Sequence, residues 1–502
     1  MEKLPEIEIT TSLRKMLPSI WRAINEANSK NPLIFQFGES LIRIVSGNNG
    51  ALFVETLNPD RLMGELDRRM QFMKFDKTSK AYVAARVPDF VVDAVLAEPC
   101  DRRHIPLISR IVHFPVFSPE GDLVVKEGYC PKSKMLYTPE KGLVIAPVSK
   151  NPTSEDIRRA KELIVENLYV DFPFVSETDK AHALSILFAP AIRGMIDGPT
   201  PNFGITAPTN GNGKTKLPTV SLMVWYPEIS VSPWKQSEAE LEKQLYGDLR
   251  KGKPYIFFDN VKNKLDSPSY EAIVTSRFYS SRVLGVSECP AVPVFQTFVV
   301  TGNNLVVGSE MSDRSVPIRL DARMQKPSER KKFKHSDLEK WVKESRGLLI
   351  WAVLTLVENW IQHGKKKSTR AHGRFPEWSH AMGGILECNE IKGFLEPKVM
   401  AEFHSDTDSE NETLEAFVQR WHEKHSLAAV FARDLVSIAL ELGLARSGSF
   451  VSPDQAVLDT GKYLGQIRGK VCENFKITKR PPTKGHTKWA LEVLPDPRNE
   501  QG

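Results

Sequence analysis

Short apolar runs alternate with stretches of helical period through the middle of the chain. The runs at 203–206, 255–258 and 297–300 are apolar, are bounded by polar or turn residues and predict buried strands. Apolar positions recur at spacings of three and four from 153 to 198 and again within 348–360, which predicts helices. This alternation predicts an α/β fold: a three-layer core with a parallel sheet over 151–326, followed by a helical lid over 327–403.

The first 150 residues show a mixed pattern. Strand-like runs occur at 33–35 and 41–45, a helical stretch at 61–73, and a hairpin with turn residues at its tip at 115–124. We expect an N-terminal α+β accessory domain over 1–150. Nothing in it has the spacing of a metal site or of a catalytic nucleophile.

The last 100 residues predict a separate small domain. Residues 404–412 are acidic and polar, and we interpret them as a solvated linker. Two helical patterns lie within 414–444 and a third near 462–471, followed by strand-like runs at 475–478 and 487–493 around a basic turn. Three helices and two strands in this order suggest a winged helix-turn-helix domain over 413–495.

Composition narrows the class of protein. The chain has 502 residues, of which 41% are hydrophobic and 26% charged, as in ordinary globular proteins. Its five cysteines include no Cys-x-x-Cys pair, which argues against a disulfide scaffold or a zinc site. The N-terminus lacks the apolar core of a signal peptide, so we expect a soluble, cytoplasmic protein with no membrane partner. A net charge of +6 permits contact with nucleic acid without requiring it.

The strongest chemical pattern is a glycine-rich loop, residues 208–215, directly after the apolar run at 203–206. Backbone N–H groups of such a loop cradle phosphate oxygens, its lysine reaches the terminal phosphates, and the hydroxyl that follows binds Mg²⁺. The pattern expects glycine at its first position, where this chain has Pro208. A chance surface loop is the alternative interpretation. The residues predicted to bind ATP, with Mg²⁺ on Thr215, are Asn210, Gly211, Asn212, Gly213, Lys214 and Thr215.

Three further candidates follow the loop along the chain. Asp259 ends an apolar run, where a carboxylate would organise Mg²⁺; a plain strand end is the alternative. Asn303 ends the next run and would orient the γ-phosphate or the attacking water, although Gly-Asn-Asn is also good turn chemistry. Arg314 precedes a final strand and would reach a neighbouring subunit's γ-phosphate. A structural salt bridge is the alternative for Arg314 and equally for Arg319.

The strand, loop and helix, the acidic strand end, the amide strand end and the late arginine follow one another in an order that resembles the AAA+ ATPases. Within that class the resemblance is to the superfamily III and MCM-like replicative helicases of phages, plasmids and integrated mobile elements. The resemblance is carried by residues 207–215, 258–260, 301–304 and 313–320. It implies a homo-oligomeric ring, usually a hexamer, that moves along a DNA strand by hydrolysing ATP between subunits. Contacts with other replication proteins are left open. For the N-terminal region, which carries no such motif, the default expectation is an accessory or collar domain that aids ring assembly or DNA loading.

Two departures from that family affect the expected chemistry. Its acidic strand usually ends in two acids, but Asn260 follows Asp259 here, and an amide cannot accept a proton. Either Glu288 or Asp266 serves as the base, or hydrolysis is slow. The hairpin expected before the amide strand also lacks the usual lysine or histidine; Arg277 and Arg282 either replace it or are surface arginines.

The C-terminal segment is the candidate DNA contact, because its basic residues are concentrated in an otherwise balanced chain. The third helix would enter the major groove and the basic turn would touch the adjacent backbone. A solvated basic tail and a protein-binding winged helix are the alternatives. The candidate residues are Lys462, Arg468 and Lys470 on the helix, and Lys479, Arg480, Lys484 and Lys488 on the wing.

These features predict an ATP-dependent DNA helicase, replicative for a phage or mobile element. A helicase loader, an origin-binding initiator or a regulatory ATPase switch without unwinding activity is the second hypothesis. Asn260 favours that second hypothesis, since a switch tolerates slow hydrolysis. A transcription regulator whose ATPase controls the winged helix is a third.

Overall fold

The computed structural model describes residues 4–30, 33–46, 52–103, 105–262, 264–281, 290–407, 409–446, 452–472, 474–483 and 486–494. Within them the chain forms two compact units, divided between Met400 and Ala401. Among the described residues, no helix combines the length and the apolar character that crossing a bilayer requires.

The N-terminal part is a small α+β layer. Strand β5 lies between β1, which runs parallel to it, and β6, which runs antiparallel, while β2, β3 and β4 form an antiparallel sheet. Its elements are β1 (Glu6–Glu8), α1 (Leu13–Lys30), β2 (Ile34–Phe37), β3 (Ser40–Ser46), β4 (Leu52–Thr56), α2 (Pro59–Arg69), β5 (Gln71–Asp76), β6 (Ala81–Ala85) and α3 (Asp89–Ala97).

The predicted strands at 33–35 and 41–45 are confirmed as β2 and β3. The helix predicted over 61–73 is correct only as far as Arg69, because the following residues leave the helix and pair with β1 and β6. In that position Phe72, 1% exposed, joins Leu66 and Ile20 in one apolar core.

Five short strands connect this layer to the central part of the chain. The hairpin predicted over 115–124 is confirmed, since β8 pairs antiparallel with β9. The strands are β7 (Arg110–Val112), β8 (Val116–Phe117), β9 (Leu123–Val124), β10 (Gly128–Cys130) and β11 (Met135–Tyr137).

The central part contains the predicted parallel sheet. Its elements are α4 (Ser154–Lys161), α5 (Glu177–Ile192), β12 (Asn202–Ala207), α6 (Lys216–Met223), α7 (Glu238–Arg250), β13 (Tyr255–Phe258), α8 (Pro268–Thr275), β14 (Phe278–Tyr279), β15 (Val292–Pro293), β16 (Thr297–Asn303), α9 (Ser309–Ser312) and β17 (Ser315–Arg319). Four strands pair in the order β13-β16-β12-β17, all parallel. Their side chains are almost all buried, as expected when helices cover both faces of a parallel sheet.

A helical segment follows the sheet, and its elements are α10 (Leu338–Gln362), α11 (Pro376–Cys388) and α12 (Pro397–Thr407). Helix α10 packs against α4, α5 and α6, so it is part of the central layer as well as of the predicted lid. Its Arg346 donates to both carboxylate oxygens of Glu140 (2.6 and 2.8 Å) and to the carbonyl oxygens of Val224 and Trp225. This buried guanidinium therefore fastens the chain after β11 to the central layer.

The second compact unit contains three further helices and a four-stranded antiparallel sheet in the order β18-β21-β20-β19. Phe417, Trp421, Leu435, Leu464 and Ile477 fill its core. Its elements are α13 (Ser409–His425), β18 (Val430–Phe431), α14 (Val436–Glu441), α15 (Pro453–Gln466), β19 (Val471–Cys472), β20 (Phe475–Thr483) and β21 (His486–Val493).

Two expectations for this region differ from the structure. The described residues of 404–412 belong to α12 and α13, so the expected acidic linker is helical. The third helix, α15, ends at Gln466 instead of reaching 471. Gly469, with φ of 82°, lies in the turn that follows, and its left-handed backbone cannot continue a helix.

Helix α5 is buried along most of its length and carries an inaccessible imidazole. Nδ1 of His182 lies 2.7 Å from the carbonyl oxygen of Pro317 in β17, and the backbone N–H of Leu395 donates to Nε2. One ring nitrogen thus donates and the other accepts, which requires the neutral imidazole. Burial lowers the pKa of His182 to about 4, from an ordinary value of 6.5.

We expect the protein to lose stability as the pH falls from 6.5 towards 4. The unfolded chain takes up a proton on His182 in this range while the folded chain resists it, so the stabilisation is complete above pH 6.5 and is lost below. The charged neighbours Asp179 and Arg319 modify the pKa only secondarily. The measurement is the thermal midpoint against pH for the native chain and for His182→Gln, which stays neutral. Equal slopes for the two proteins would contradict the assignment.

Candidate active site

The carboxyl ends of β12, β13 and β16 meet at one edge of the parallel sheet. In the register of the sheet Ala207 lies beside Asn303, and Phe258 lies beside Val300. The glycine-rich loop leaves β12, and Asp259 follows β13, at this same edge. Ligand sites of open α/β sheets form at such strand ends. The strands that Asp259 and Asn303 were predicted to end are thus adjacent in the sheet, and the chemical roles of these two residues stay predictions.

The loop needs glycine at two positions. Gly211 and Gly213 have φ of 88° and 91°, in the left-handed region that favours glycine. A Cβ atom on Gly211 would lie 2.7 Å from the backbone nitrogen of Ser328, and one on Gly213 would lie 3.2 Å from the ring of Phe172. Helix α6 begins directly after Thr215. Strand, glycine-rich loop and helix thus follow one another as the sequence predicts.

Two asparagines of the loop hold its shape. The side chain of Asn212, 1% exposed, donates to the carbonyl and hydroxyl oxygens of Thr209 (both 3.0 Å) and accepts from the backbone N–H of Ala322. Asn210 accepts a hydrogen bond from the amide of Asn303 at 2.9 Å. We predicted both as nucleotide-binding residues. In the structure their side chains form hydrogen bonds within the loop and with neighbouring segments.

Lys214 joins the loop to the end of β16. Its ammonium group donates to the side-chain oxygen of Asn303 at 2.5 Å and to the carbonyl oxygen of Thr209 at 3.1 Å. Burial lowers the pKa of Lys214 below its ordinary value of 10.5, and the negative charge of Asp259 acts in the opposite direction. A half-desolvated cation at the mouth of a loop of backbone amides is suited to binding an anion.

Asp259 is the acidic centre of the site. One of its carboxylate oxygens accepts hydrogen bonds from the hydroxyls of Thr215, at 2.8 Å, and of Thr301. A carboxylate beside a hydroxyl is an oxygen pair of the kind that Mg²⁺ binds. Among the described residues, no group of three or more His, Cys, Asp or Glu side chains is arranged to hold a metal ion. An ion between Thr215 and Asp259 would therefore take its remaining ligands from water or phosphate.

The sequence did not identify Thr301 as a functional residue. Its hydroxyl donates to Asp259 and also accepts the backbone N–H of Asn260 at 3.0 Å. It fixes a turn in which Asn260 has φ of 56°. The one available signal was a hydroxyl inside an otherwise apolar strand, which is too common to be interpreted without the neighbouring strand.

The two candidate arginines lie at opposite ends of β17, Arg314 just before its first residue and Arg319 at its last. Arg314 precedes β17, and its carbonyl oxygen accepts the N–H of Asn202 at the start of β12, at the edge opposite the loop. Its guanidinium pairs with Glu310 at 2.9 Å and is 13% exposed. Arg319, at the carboxyl end of β17, pairs with the buried carboxylate of Asp179 at 3.1 Å. Both arginines thus make the ion pairs that the sequence left as alternatives, and a role of Arg314 between subunits stays a prediction.

The other residues proposed around the site are dispersed. Asp266 lies 3.6 Å from Lys264 and is largely exposed. Arg277 pairs with Asp197 at 2.5 Å on the surface. Glu288 and Arg282 lie outside the described residues.

The basic residues of the C-terminal unit are grouped on its last elements. Lys462 is on α15, Arg468 and Lys470 are in the turn after it, Lys479 and Arg480 are on β20, Lys488 is on β21, and Lys484 lies outside the described residues. Arg480 and Lys488 are direct cross-strand neighbours. Like charges at such positions repel each other, and an anion bound beside them would reduce this repulsion.

No family model and no curated protein matches the chain. Among solved structures it is similar to the apo A form of the NrS-1 C-terminal region, with 13% identity, a TM-score of 0.34 and 87% of this chain and 100% of that chain covered. It is also similar to the active helicase SCCmec type IV Cch, with 11% identity, a TM-score of 0.36 and 90% of this chain and 91% of that chain covered. For the JCV helicase the identity is 15% and the TM-score is 0.23, and 47% of this chain and 66% of that chain are covered. Because every TM-score is below 0.5, the function proposed for this chain depends on its own residues.

We expect Thr301→Val to loosen the acidic centre of the site. Valine has the shape of threonine but cannot donate to Asp259 or accept from Asn260, so a backbone N–H loses its partner at a cost of about 1–3 kcal/mol. The measurements are the thermal midpoint and the hydrogen exchange of the peptide containing Asn260. Thr301→Ser, which keeps the hydroxyl, is the matched control and should exchange like the native chain. Equal exchange in Thr301→Val would contradict the prediction.

Proposed function

We propose that the chain is an ATP-dependent motor of the AAA+ class that unwinds DNA. The observation that carries the proposal is the meeting of Lys214, Thr215, Asp259 and Asn303 at one edge of the sheet, joined by direct hydrogen bonds. A cation, a hydroxyl, a carboxylate and an amide are the groups that phosphoryl transfer from a nucleoside triphosphate requires.

The residues present fit ATP and Mg²⁺. The loop amides and Lys214 would bind the phosphates, while Thr215 and Asp259 would hold the ion, which neutralises phosphate charge when bound. Asn303 would orient the γ-phosphate or a water molecule without adding charge. Because Lys214 already donates to Asn303, a phosphate that takes over the lysine's hydrogen bonds would release this amide. Nucleotide binding would in this way be transmitted to β16.

Assembly into a hexameric ring is part of the proposal. Arg314 is the guanidinium proposed to reach the nucleotide of a neighbouring subunit, since it lies on the opposite edge of the sheet from its own loop. Glu310, its present partner, is 67% exposed but the Arg314 side chain is 13% exposed, so the proposed role requires Arg314 to leave this pair when a neighbouring subunit docks. A guanidinium placed there would stabilise charge that develops during hydrolysis.

The C-terminal unit is proposed as the DNA contact. The order helix, strand, two helices and two long strands supports a winged helix-turn-helix, with α15 for the major groove and the β20–β21 turn for the backbone. Lys479 and Arg480 are exposed on the strand that enters this turn. Replication of a phage or mobile element in a cytoplasm, with other replication proteins as partners, is the biological setting that the proposal implies.

A nucleotide-dependent switch, such as a helicase loader or an initiator, is the second candidate. The observation that favours it is Asn260, which stands beside the Asp259 carboxylate and cannot accept a proton from water. One carboxylate oxygen of Asp259 already accepts hydrogen bonds from both Thr215 and Thr301, so it is engaged within the site. A switch requires binding of the nucleotide more than its rapid hydrolysis.

The proposal predicts that forked DNA is unwound with ATP and that both Lys214→Ala and Arg314→Ala abolish unwinding. ATP binding, measured by fluorescent-nucleotide titration, should be lost only in Lys214→Ala, because Arg314 lies away from its own loop. Arg158→Ala removes an exposed surface arginine and is the matched control. DNA-stimulated ATP hydrolysis without unwinding would favour the switch, and normal unwinding by Arg314→Ala would contradict its role between subunits.

A further inference from the structure

The β5–β6 hairpin of the N-terminal part extends beyond the apolar core. At its base Phe72 is 1% exposed and pairs with Ala85. Farther along, the side chains of both strands are mostly exposed, and β6 is an edge strand of its sheet. At this end neither strand covers the apolar core, so packing against the core does not account for the large apolar side chains that are exposed there.

Two aromatic rings lie side by side on one face of the hairpin. Phe75 and Tyr82 are direct cross-strand neighbours, are 50% and 49% exposed, and have ring centroids 5.4 Å apart at an angle of 72°. The Tyr82 hydroxyl donates to the carboxylate of Glu8 on β1, two strands away. The hydrogen bond holds one ring and the edge-to-face contact holds the other. The rings form a preordered apolar surface that faces solvent.

Apart from the Glu8 carboxylate that accepts from Tyr82, the charge around these rings is positive. Lys74, Lys77, Lys80 and Arg86 are all exposed, and Asp76 is the only acid between Gln71 and Val87. Asp76 is used within the turn, where it accepts hydrogen bonds from the backbone N–H groups of residues 78 and 79. Three of the four cations lie close to the aromatic pair in sequence. The hairpin therefore combines exposed rings with a local excess of positive charge.

This charge distribution disfavours a second copy of the chain as the partner. If β6 paired antiparallel with β6 of another copy, centred on Val83, Lys80 would face Arg86 at both ends. Like charges directly opposite each other destabilise strand pairing. An anionic partner with flat apolar groups suits the surface better, and single-stranded nucleic acid has both features.

We infer that the β5–β6 hairpin is a binding site for single-stranded DNA. Unpaired bases stack on Phe75 and Tyr82, and Lys77 and Lys80 in the adjoining turn neutralise the neighbouring phosphates, whereas Lys74 lies on the opposite face of the strand. The negative charge of Glu8 repels phosphates on the side of β1, so the bound DNA strand runs towards the lysines of the turn. The choice of DNA over RNA rests on the proposed function, whereas the stacking and the charge do not.

The test measures binding of fluorescein-labelled oligothymidine to the full chain by fluorescence anisotropy, without nucleotide. Lys479→Ala/Arg480→Ala is the background, so that the C-terminal unit contributes less. In it, Phe75→Ala/Tyr82→Ala should weaken binding about tenfold or more, because each stacked base contributes about 1–3 kcal/mol. Binding of a duplex of the same length should change less than about twofold, because paired bases do not stack on side chains.

Matched controls separate stacking from charge and from folding. Tyr82→Phe keeps the ring but loses the hydrogen bond to Glu8, so it should lose much less affinity than Tyr82→Ala. Lys77→Glu/Lys80→Glu alters only the turn and should lower both the affinity and its dependence on salt concentration. Lys126→Glu reverses an exposed charge in the bend between β9 and β10 and should have no comparable effect. Thermal midpoints of all variants should agree, since the changed side chains lie outside the core.

Four results would overturn the inference. They are unchanged oligothymidine affinity in Phe75→Ala/Tyr82→Ala, an equal loss for duplex DNA, tighter binding of oligouridine RNA than of DNA, and self-association of the chain that Val83→Lys abolishes. The same titration on Lys214→Ala keeps this test independent of the motor. The hairpin effect should persist there even if the protein neither hydrolyses ATP nor unwinds DNA. If the protein unwinds DNA normally but the hairpin variants bind oligothymidine as tightly as the parent, this inference is contradicted and the proposed function is not.

Discussion

A small set of hydrogen bonds at the sheet edge holds the candidate active site together. Lys214 donates to Asn303, and Thr215 donates to Asp259, across 89 and 44 positions of sequence. These contacts exist because β12, β13 and β16 run parallel and end at one edge. The burial of the strands fixes that alignment, so the apolar core and the polar site depend on each other. Any ligand that competes for these donors acts on three strands at once.

The residues around this network bear on which of the two proposed functions the site favours. Thr301 orients Asp259 and holds the turn at Asn260, where the resembled helicases usually have a second acid. In the proposed motor this site would bind a phosphate, while the residue beside Asp259 that could accept a proton from water is an amide. Arg314, bound to Glu310 at the far end of β17, could contribute to the proposed chemistry only in another subunit. Nucleotide binding and hydrolysis would then depend on different parts of the fold.

Positive charge is concentrated locally although the chain as a whole is nearly balanced, with a net charge of +6. In the C-terminal unit Arg480 and Lys488 face each other across two strands. In the N-terminal part the lysines of the β5–β6 hairpin surround two exposed rings. Local charge of this kind attracts nucleic acid far more effectively than net charge does. In the C-terminal unit an aromatic ring also accompanies the charge, because Arg433 and Lys488 lie over the ring of Phe431. The hairpin differs in that its two rings are about half exposed.

The sequence alone determined the α/β class, the strand ends at Asp259 and Asn303, the glycine-rich loop and the predicted hairpin at 115–124, because buried strands and turns leave strong local patterns. It could not determine that Arg314 pairs with Glu310, that Thr301 holds Asp259, or that α15 stops at Gln466. The exposure of the Phe75 and Tyr82 rings leaves no signal in the hydrophobic pattern, and the start of β5 lies within the segment predicted as helix. Only tertiary structure decides such features, because they depend on which distant segments become neighbours and on which faces remain uncovered.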